Sequence, residues 1–192
     1  MRKDFYIFRH GETEFNLQHR QQGSGINMEL TDKGREQAVA LTDKLAAYKL
    51  EAVFSSPLIR AVQTAKTVAQ KFGCPLIIKE DLRECFYGDA EGMLQSEIAA
   101  KYPDIYNNWN NPEVWDIAYP HGESKKASLE RVWRQIEKLR QEQPYGVCGI
   151  AIHGGTMGSL LNYLHYDFTK IQNCAAFHLV YDNNWRIEGD LF

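Results

Sequence analysis

The 192-residue chain contains no apolar run approaching the ~20 residues that a membrane-spanning helix needs. Its N-terminus, MRKDFYIFRH, is basic, but the apolar stretch is too short and too interrupted for a secretory leader. Cysteine is scarce, with four residues far apart and no Cys-x-x-Cys pair, which argues against a zinc ribbon or a dense disulfide framework. Cys148 and Cys174 lie inside apolar runs and read as buried free thiols, so a reducing cytoplasm is the expected setting. The six histidines show no His-x-His or His-x-x-x-His spacing, and no bound metal or other cofactor is expected. No excess of one charge is present: 22 basic residues face 25 acidic ones, and no Lys/Arg run exceeds two residues. A nucleic-acid or membrane-surface partner is therefore not expected. If the chain handles an anion, its cations must converge on one site.

What remains is an ordinary globular composition, 44% apolar and 24% charged, with no repeat or low-complexity tract. The length fits a single domain over 1–192 with one inserted segment. Residues 4–8 read as a buried strand ending at Arg9-His10-Gly11. Thr31 is the expected N-cap of a helix to about Tyr48, with Ala38, Leu41 and Leu45 on its apolar stripe. A strand at Ala52 to Phe54 precedes Ser55-Ser56-Pro57, where Ser56 as N-cap and Pro57 at the first turn predict a helix closed by Gly73. Leu76 to Ile78 reads as a strand.

Regular patterning then lapses over 84–126, a stretch rich in Asn, Pro, Tyr and Trp with one weak helical run near Ser96 to Tyr102. A helix through Leu129, Val132, Ile136 and Leu139 leads to the most apolar strand, Val147 to Ile152, which ends at His153-Gly154-Gly155. A helix through Met157, Leu160 and Leu161 follows, then two strands joined at Asp182-Asn183-Asn184. Alternating strands and helices predict an α/β fold with a mostly parallel sheet, in which ligands bind beyond the carboxyl ends of the strands.

Two histidines, His10 and His153, each stand immediately after a predicted strand. Beside His10, Arg9 offers a planar fork matched to phosphate oxygens, and Gly11 lets the backbone pass close to a ligand. Arg60 lies near the positive end of a predicted helix, a second cation at a place already favourable to anions. Gly154 and Gly155 can turn backbone N–H groups toward a ligand. Glu84 opens the irregular segment, over the sheet. Alone, each of these residues has an ordinary structural explanation.

Together they resemble a family. Phe8-Arg9-His10-Gly11-Glu12-Thr13 with Asn16 is similar to the signature of the phosphoglycerate mutase-like histidine phosphatases. The resemblance continues through Arg20, Gln22 and Gly23, through Leu30-Thr31 with Gly34, and through Ser55-Ser56-Pro57 with Arg60. Leu82-Arg83-Glu84 with Glu91-Gly92 resembles the family's acid loop, Gly122-Glu123-Ser124 a later turn, and His153-Gly154-Gly155 its second histidine. The resemblance implies a three-layer α/β/α sandwich in which 85–126 forms a lid over the substrate. It implies His10 as nucleophile, with Arg9, Arg60 and His153 as a cationic phosphate pocket. Glu84 would be the proton donor, and Asn16, Gln22, Gly23 and Gly154 would line the substrate site. The nucleophile must be neutral, so the other nitrogen of His10 should donate to a backbone carbonyl. Like charge from phosphate should raise the pKa of Glu84.

The chain departs from the pattern at Phe15, Ala90 and His121, and no Arg follows Gly155; these changes lie on the leaving-group side. The activity implied is hydrolysis of a small phosphorylated metabolite, with a phosphoglycerate mutase-type transfer or a catalytically silent binding protein as alternatives. Lys125-Lys126 is expected to be a solvated helix start, and the oligomeric state is left open.

Overall fold

A computed structural model describes residues 2–192. Six strands form one sheet: β1 (Lys3–Arg9), β2 (Ala52–Ser55), β3 (Leu76–Ile78), β4 (Val147–Ile152), β5 (Ala176–Asp182) and β6 (Asn184–Glu188), in the order β3-β2-β4-β1-β5-β6. The first four in that order run parallel, and β5 is antiparallel to both β1 and β6. The helices are α1 (Glu14–Leu17), α2 (Asp32–Leu45), α3 (Ile59–Phe72), α4 (Gln95–Lys101), α5 (Pro103–Asn108), α6 (Lys125–Glu142) and α7 (Gly154–Tyr163). Among the described residues no helix is long and apolar enough to cross a membrane.

The central strands are apolar almost throughout because both faces are covered. Phe5 and Ile7 of β1 join Phe54, Ile150 and Ile152 in a core closed by Leu129, Val132 and Ile136 of α6 and Met157, Leu160 and Leu161 of α7. The intervening Tyr6 and Phe8 join Val53 and Ala151 in a second core closed by Ala38, Leu41 and Leu45 of α2 and Ala61, Ala65 and Val68 of α3. Two cores on opposite faces of one sheet give the three layers. Gly149 of β4 is opposite Tyr6, and a Cβ there would press on Phe8, Leu50 and Val53, so glycine lets the second core close across the sheet.

A third apolar cluster lies within the stretch between β3 and α6. Cys85, Tyr87, Ala90, Ile98 and Tyr119 are buried there, with Trp109 and Tyr102 packed against them. This segment therefore has its own small core and two helices, α4 and α5, where the sequence suggests one weak helical run. The four cysteines are free thiols, and Cys148 and Cys174 are buried as their apolar surroundings predict.

Two local expectations are corrected. Helix α3 starts at Ile59, not at Ser56-Pro57, and its N-cap Leu58 makes no side-chain cap bond. The Ile59 N–H donates instead to Asn27 Oδ1 at 2.7 Å, a cap supplied from a distant loop, while the Ser56 hydroxyl is engaged with His153. Lys125 is not solvated: it is 1% exposed, and its Nζ donates to the carbonyls of Asn111 and Val114 at 2.7 and 3.0 Å. Burial brings its pKa down to about 8, and the ring of Trp115 lies 4.4 Å from Nζ. Carbonyls from the excursion supply what water would otherwise give an ammonium group.

Candidate active site

Parallel pairing of β1 with β4 sets Arg9 opposite Ile152, so the next residue of each strand, His10 and His153, leaves the sheet at one point. The two imidazole centroids are 5.2 Å apart. Pairing of β2 with β4 brings Ser55, and hence Ser56, to the same edge. The site lies at the carboxyl ends of the central strands, where strand order reverses.

His10 is buried, and its Nδ1 donates to the carbonyl of Gly11 at 2.7 Å. Arg60 Nε donates to His10 Nε2 at 3.3 Å, which requires a lone pair there. Both contacts select the Nδ1–H tautomer. Burial first, then Arg60 and Arg9, hold the ring well below the usual pKa of histidine, so it is neutral. The His10 carbonyl accepts from Asn173 Nδ2 at 3.1 Å, and the Gly11 N–H donates to Thr64 Oγ1 at 3.0 Å.

Arg60 is the second residue of α3 and is 1% exposed. Its NH1 and NH2 donate to the carbonyls of Ile26 and Gly23 at 2.9 and 2.7 Å, so the guanidinium is oriented by backbone, and burial brings its pKa down to about 10. It remains charged at neutral pH. Gly23 has φ +64°, and a Cβ there would collide with the carboxylate of Glu91. Glu91 accepts from the Tyr87 and Gly25 N–H groups at 3.1 and 3.2 Å and braces this loop.

His153 Nε2 lies 2.7 Å from Ser56 Oγ. That oxygen accepts from the Leu58 N–H at 3.3 Å and can turn its own proton to Nε2; with the hydroxyl so turned, the His153 proton sits on Nδ1. Burial and Arg60 push this histidine well below its usual pKa. It is a neutral donor in this state, beside the charged Arg9 and Arg60 of the pocket that the sequence resemblance implies.

Glu84 Oε1 accepts from the N–H groups of Cys85 and Thr156, both at 2.9 Å, and Oε2 from that of Gly155 at 2.8 Å. The amides expected to face a ligand at Gly154-Gly155 are thus partly committed to the carboxylate, at the N-terminus of α7. Burial raises the pKa of Glu84; the backbone N–H bonds and Arg60 oppose it without cancelling it. Desolvation, not the like charge of a ligand, is the cause in this state.

Three buried polar side-chain atoms lack a partner among the described residues: Arg9 Nε, Gln22 Oε1 and His153 Nδ1. Their residues all belong to this site. Arg9 is anchored by NH1 on the Ile171 carbonyl at 2.7 Å, and its guanidinium lies against Gly154. Gln22 Nε2 is 2.6 Å from Thr13 Oγ1; turning the amide over lets Thr13 donate to Oε1 and presents the NH₂ to the cavity. Asn16 Oδ1 accepts from Asn173 and from the Thr13 N–H at 3.0 and 3.2 Å, which leaves its NH₂ for the cavity. A cavity of ≈ 380 Å³ is lined by Arg9, His10, Asn16, Gln22, Gly23, Arg60, Glu84 and Gly154, and His153, fully buried, stands beside His10 with 5.2 Å between the ring centroids and its Nδ1 unpartnered.

Residues that sequence reasoning missed act from behind. Arg131 of α6 donates to the carbonyls of Asp81 and Arg83 at 2.9 Å and of Glu84 at 3.3 Å, and pairs with Glu123 at 2.7 Å. It fixes the loop that carries Glu84. Asn173, in the loop before β5, joins His10 to Asn16. No periodicity marks either residue, because their partners are distant carbonyls.

The sequence profile described as Histidine phosphatase superfamily (branch 1) matches residues 5–187. The chain belongs to that superfamily. A glucosyl-3-phosphoglycerate phosphatase of Mycolicibacterium vanbaalenii is 35% identical over 162 residues, 80% of this chain and 70% of the relative. A metal-independent phosphoserine phosphatase of Arabidopsis thaliana is 31% identical over 160 residues, 82% of this chain and 66% of the relative. A solved mycobacterial glucosyl-3-phosphoglycerate phosphatase, in complex with VO3, superposes with a TM-score of 0.85 at 25% identity over 97% of both chains. That enzyme thus shares nearly the whole of this fold.

Proposed function

We propose that this member of the superfamily is a phosphomonoesterase for small phosphorylated metabolites and that it works through a phosphohistidine at His10. The observation that carries this reading is the state of His10: its proton is held on Nδ1 by the Gly11 carbonyl, and Nε2 keeps its lone pair beside Arg60. The Nε2 lone pair attacks phosphorus, and the P–O bond to the leaving group breaks in line with it. Charge spread over the equatorial oxygens is met by Arg9 Nε, Arg60, His153 Nδ1–H and the amides of Gln22 and Asn16. Glu84 in its acid form protonates the leaving oxygen, then as carboxylate takes a proton from the water that cleaves the phosphohistidine. The relatives named as phosphatases support this reading, and the free thiols support a cytoplasmic setting.

We take 1–192 as one domain and the segment 85–126 as a lid that contacts the leaving group. Water is the acceptor we favour over a second hydroxyl of substrate, because Lys125 of the Lys125-Lys126 pair is buried against Trp115 and leaves no basic cluster on the lid's inner wall. Millisecond mixing with ³²P-labelled ester, followed by an alkaline quench, tests both steps. Base-stable, acid-labile label on His10 that decays to inorganic phosphate is the expected result. Label on another residue, or transfer to added phosphoglycerate faster than to water, would overturn the proposal.

A further inference from the structure

The cavity extends past the phosphoryl-binding groups. Its outer half is built where residues 19–21 pair with residues 92–95: Gln21 N–H donates to the Met93 carbonyl at 3.0 Å and Gln95 N–H to that of His19 at 2.9 Å. This short antiparallel contact presents Arg20, Gln21 and Gln95 to the cavity. Gln95 Nε2 donates to Gln21 Oε1 at 2.7 Å, which holds both amides in place. Tyr106, Trp109 and Tyr119 line the same cavity, with Trp109 stacked on Tyr119 at 5.2 Å between centroids.

Among the described residues that line the cavity, Arg20 is the only cation besides Arg9 and Arg60. Its Nε donates to Gln18 Oε1 at 3.1 Å and its NH1 to the Gly92 carbonyl at 2.8 Å, which leaves NH2 without a hydrogen-bond partner. Among the described residues it forms no ion pair, and Glu84 is the only acid lining the cavity. Glu84 is already committed to three backbone N–H groups. The charge count is therefore uneven. Arg9 and Arg60 match the two charges of a phosphomonoester, and one oriented guanidinium remains over for the leaving group.

We propose that Arg20 is a specificity-determining residue that pairs with a carboxylate on the leaving group of the substrate. The carbon skeleton lies between the two glutamine amides and the Trp109–Tyr119 wall. A single guanidinium suits a monoanionic carboxylate; a second phosphate dianion calls for more than one cation. A cationic leaving group meets repulsion from Arg20. This inference rests on the phosphatase reading and narrows its substrate class to phosphate esters of hydroxy acids.

The test uses two esters that differ at one carbon, 3-phosphoglycerate and glycerol 3-phosphate, with p-nitrophenyl phosphate as control. A charge-assisted hydrogen bond at a half-buried group such as Arg20 contributes about 10- to 100-fold in affinity. The wild-type protein should prefer 3-phosphoglycerate by that factor in kcat/KM, chiefly through KM. In Arg20→Gln the ratio between the two esters should collapse toward one, and Arg20→Lys should restore part of it. A wild-type ratio near one overturns the proposal, as does an equal loss for both esters in Arg20→Gln, which would make Arg20 a brace for Gly92 only. Hydrolysis of p-nitrophenyl phosphate with neither of the other esters overturns it too. Absence of all turnover sinks the phosphatase reading instead. Calorimetric binding of the two esters to the wild-type protein then reads the same contrast, and equal affinities reject the role of Arg20.

Discussion

At the scale of single residues the site separates two titrating groups in the direction that acid catalysis needs. Burial drives His10 down and Glu84 up, so the neutral nucleophile and the protonated acid coexist over a wider pH range than exposed groups would allow. For kcat/KM the sign follows directly. The acid limb, protonation of His10, should lie well below the 6.5 of an exposed histidine, and the alkaline limb, loss of the Glu84 proton, should lie above the usual carboxylate range. Glu84→Gln should remove the alkaline limb and slow alkyl phosphates about 10²–10⁴-fold, while p-nitrophenyl phosphate, whose leaving group needs no proton, is slowed far less. Equal losses for both esters would show that Glu84 only shapes the pocket. Glu91 is no substitute in that event, because its Oε1 is held by the Tyr87 and Gly25 N–H groups and the residue does not line the cavity.

At the scale of elements, the excursion between β3 and α6 is the part that should move by itself. It has a small core of its own, and it is tied to α6 through the Lys125 ammonium and through Arg131 with Glu123. Lys125→Met keeps the stem of the side chain but leaves the Val114 carbonyl unpaired and takes one of two donors from the Asn111 carbonyl. Amide exchange over 105–120 should become about 10- to 100-fold faster while β1 and β4 keep their protection. KM for esters with bulky leaving groups should rise with it. Uniform loss of protection across the sheet would mean that Lys125 supports the whole fold instead.

The sequence made the sheet and its order of elements legible, because strands buried on both faces must be apolar nearly throughout, as in β1 and β4. It also placed His10, Arg60, Glu84 and His153, since each stands at the end or start of an element in a dense motif. The start of α3 was not legible: the Ser56-Pro57 pattern is a local cap signal, and a tertiary contact took Ser56 to His153 and brought Asn27 to the helix. The buried state of Lys125 was hidden for the same reason, since its partners are carbonyls from a segment with no periodicity.

At the scale of the whole molecule, the site loads the carboxyl edge of the sheet with groups that resist their usual charge states, and stability must respond to pH. His10 and His153 are held well below 6.5 in the folded protein but titrate normally when unfolded. As pH falls below 6.5 the unfolded chain gains protons that the folded one refuses, so stability is present above that value and lost on acidification, at up to about 1.4 kcal/mol per pH unit for each group. Glu84 acts with the opposite sign: its raised pKa favours the folded state at low pH, and that contribution is lost as pH rises through the folded value. Thermal unfolding between pH 6.5 and pH 5 should therefore show a steep fall in Tm for the wild-type protein. His153→Gln, which cannot be protonated, should show a shallower fall, even if its Tm at pH 7 is lower. Inorganic phosphate should raise Tm by mass action, since the unpartnered Arg9 Nε and His153 Nδ1–H gain an acceptor only in the folded protein. Parallel Tm curves for the two proteins across that range would show that the buried histidines do not govern acid stability. A Tm indifferent to phosphate would show that the converging donors do not form an anion site.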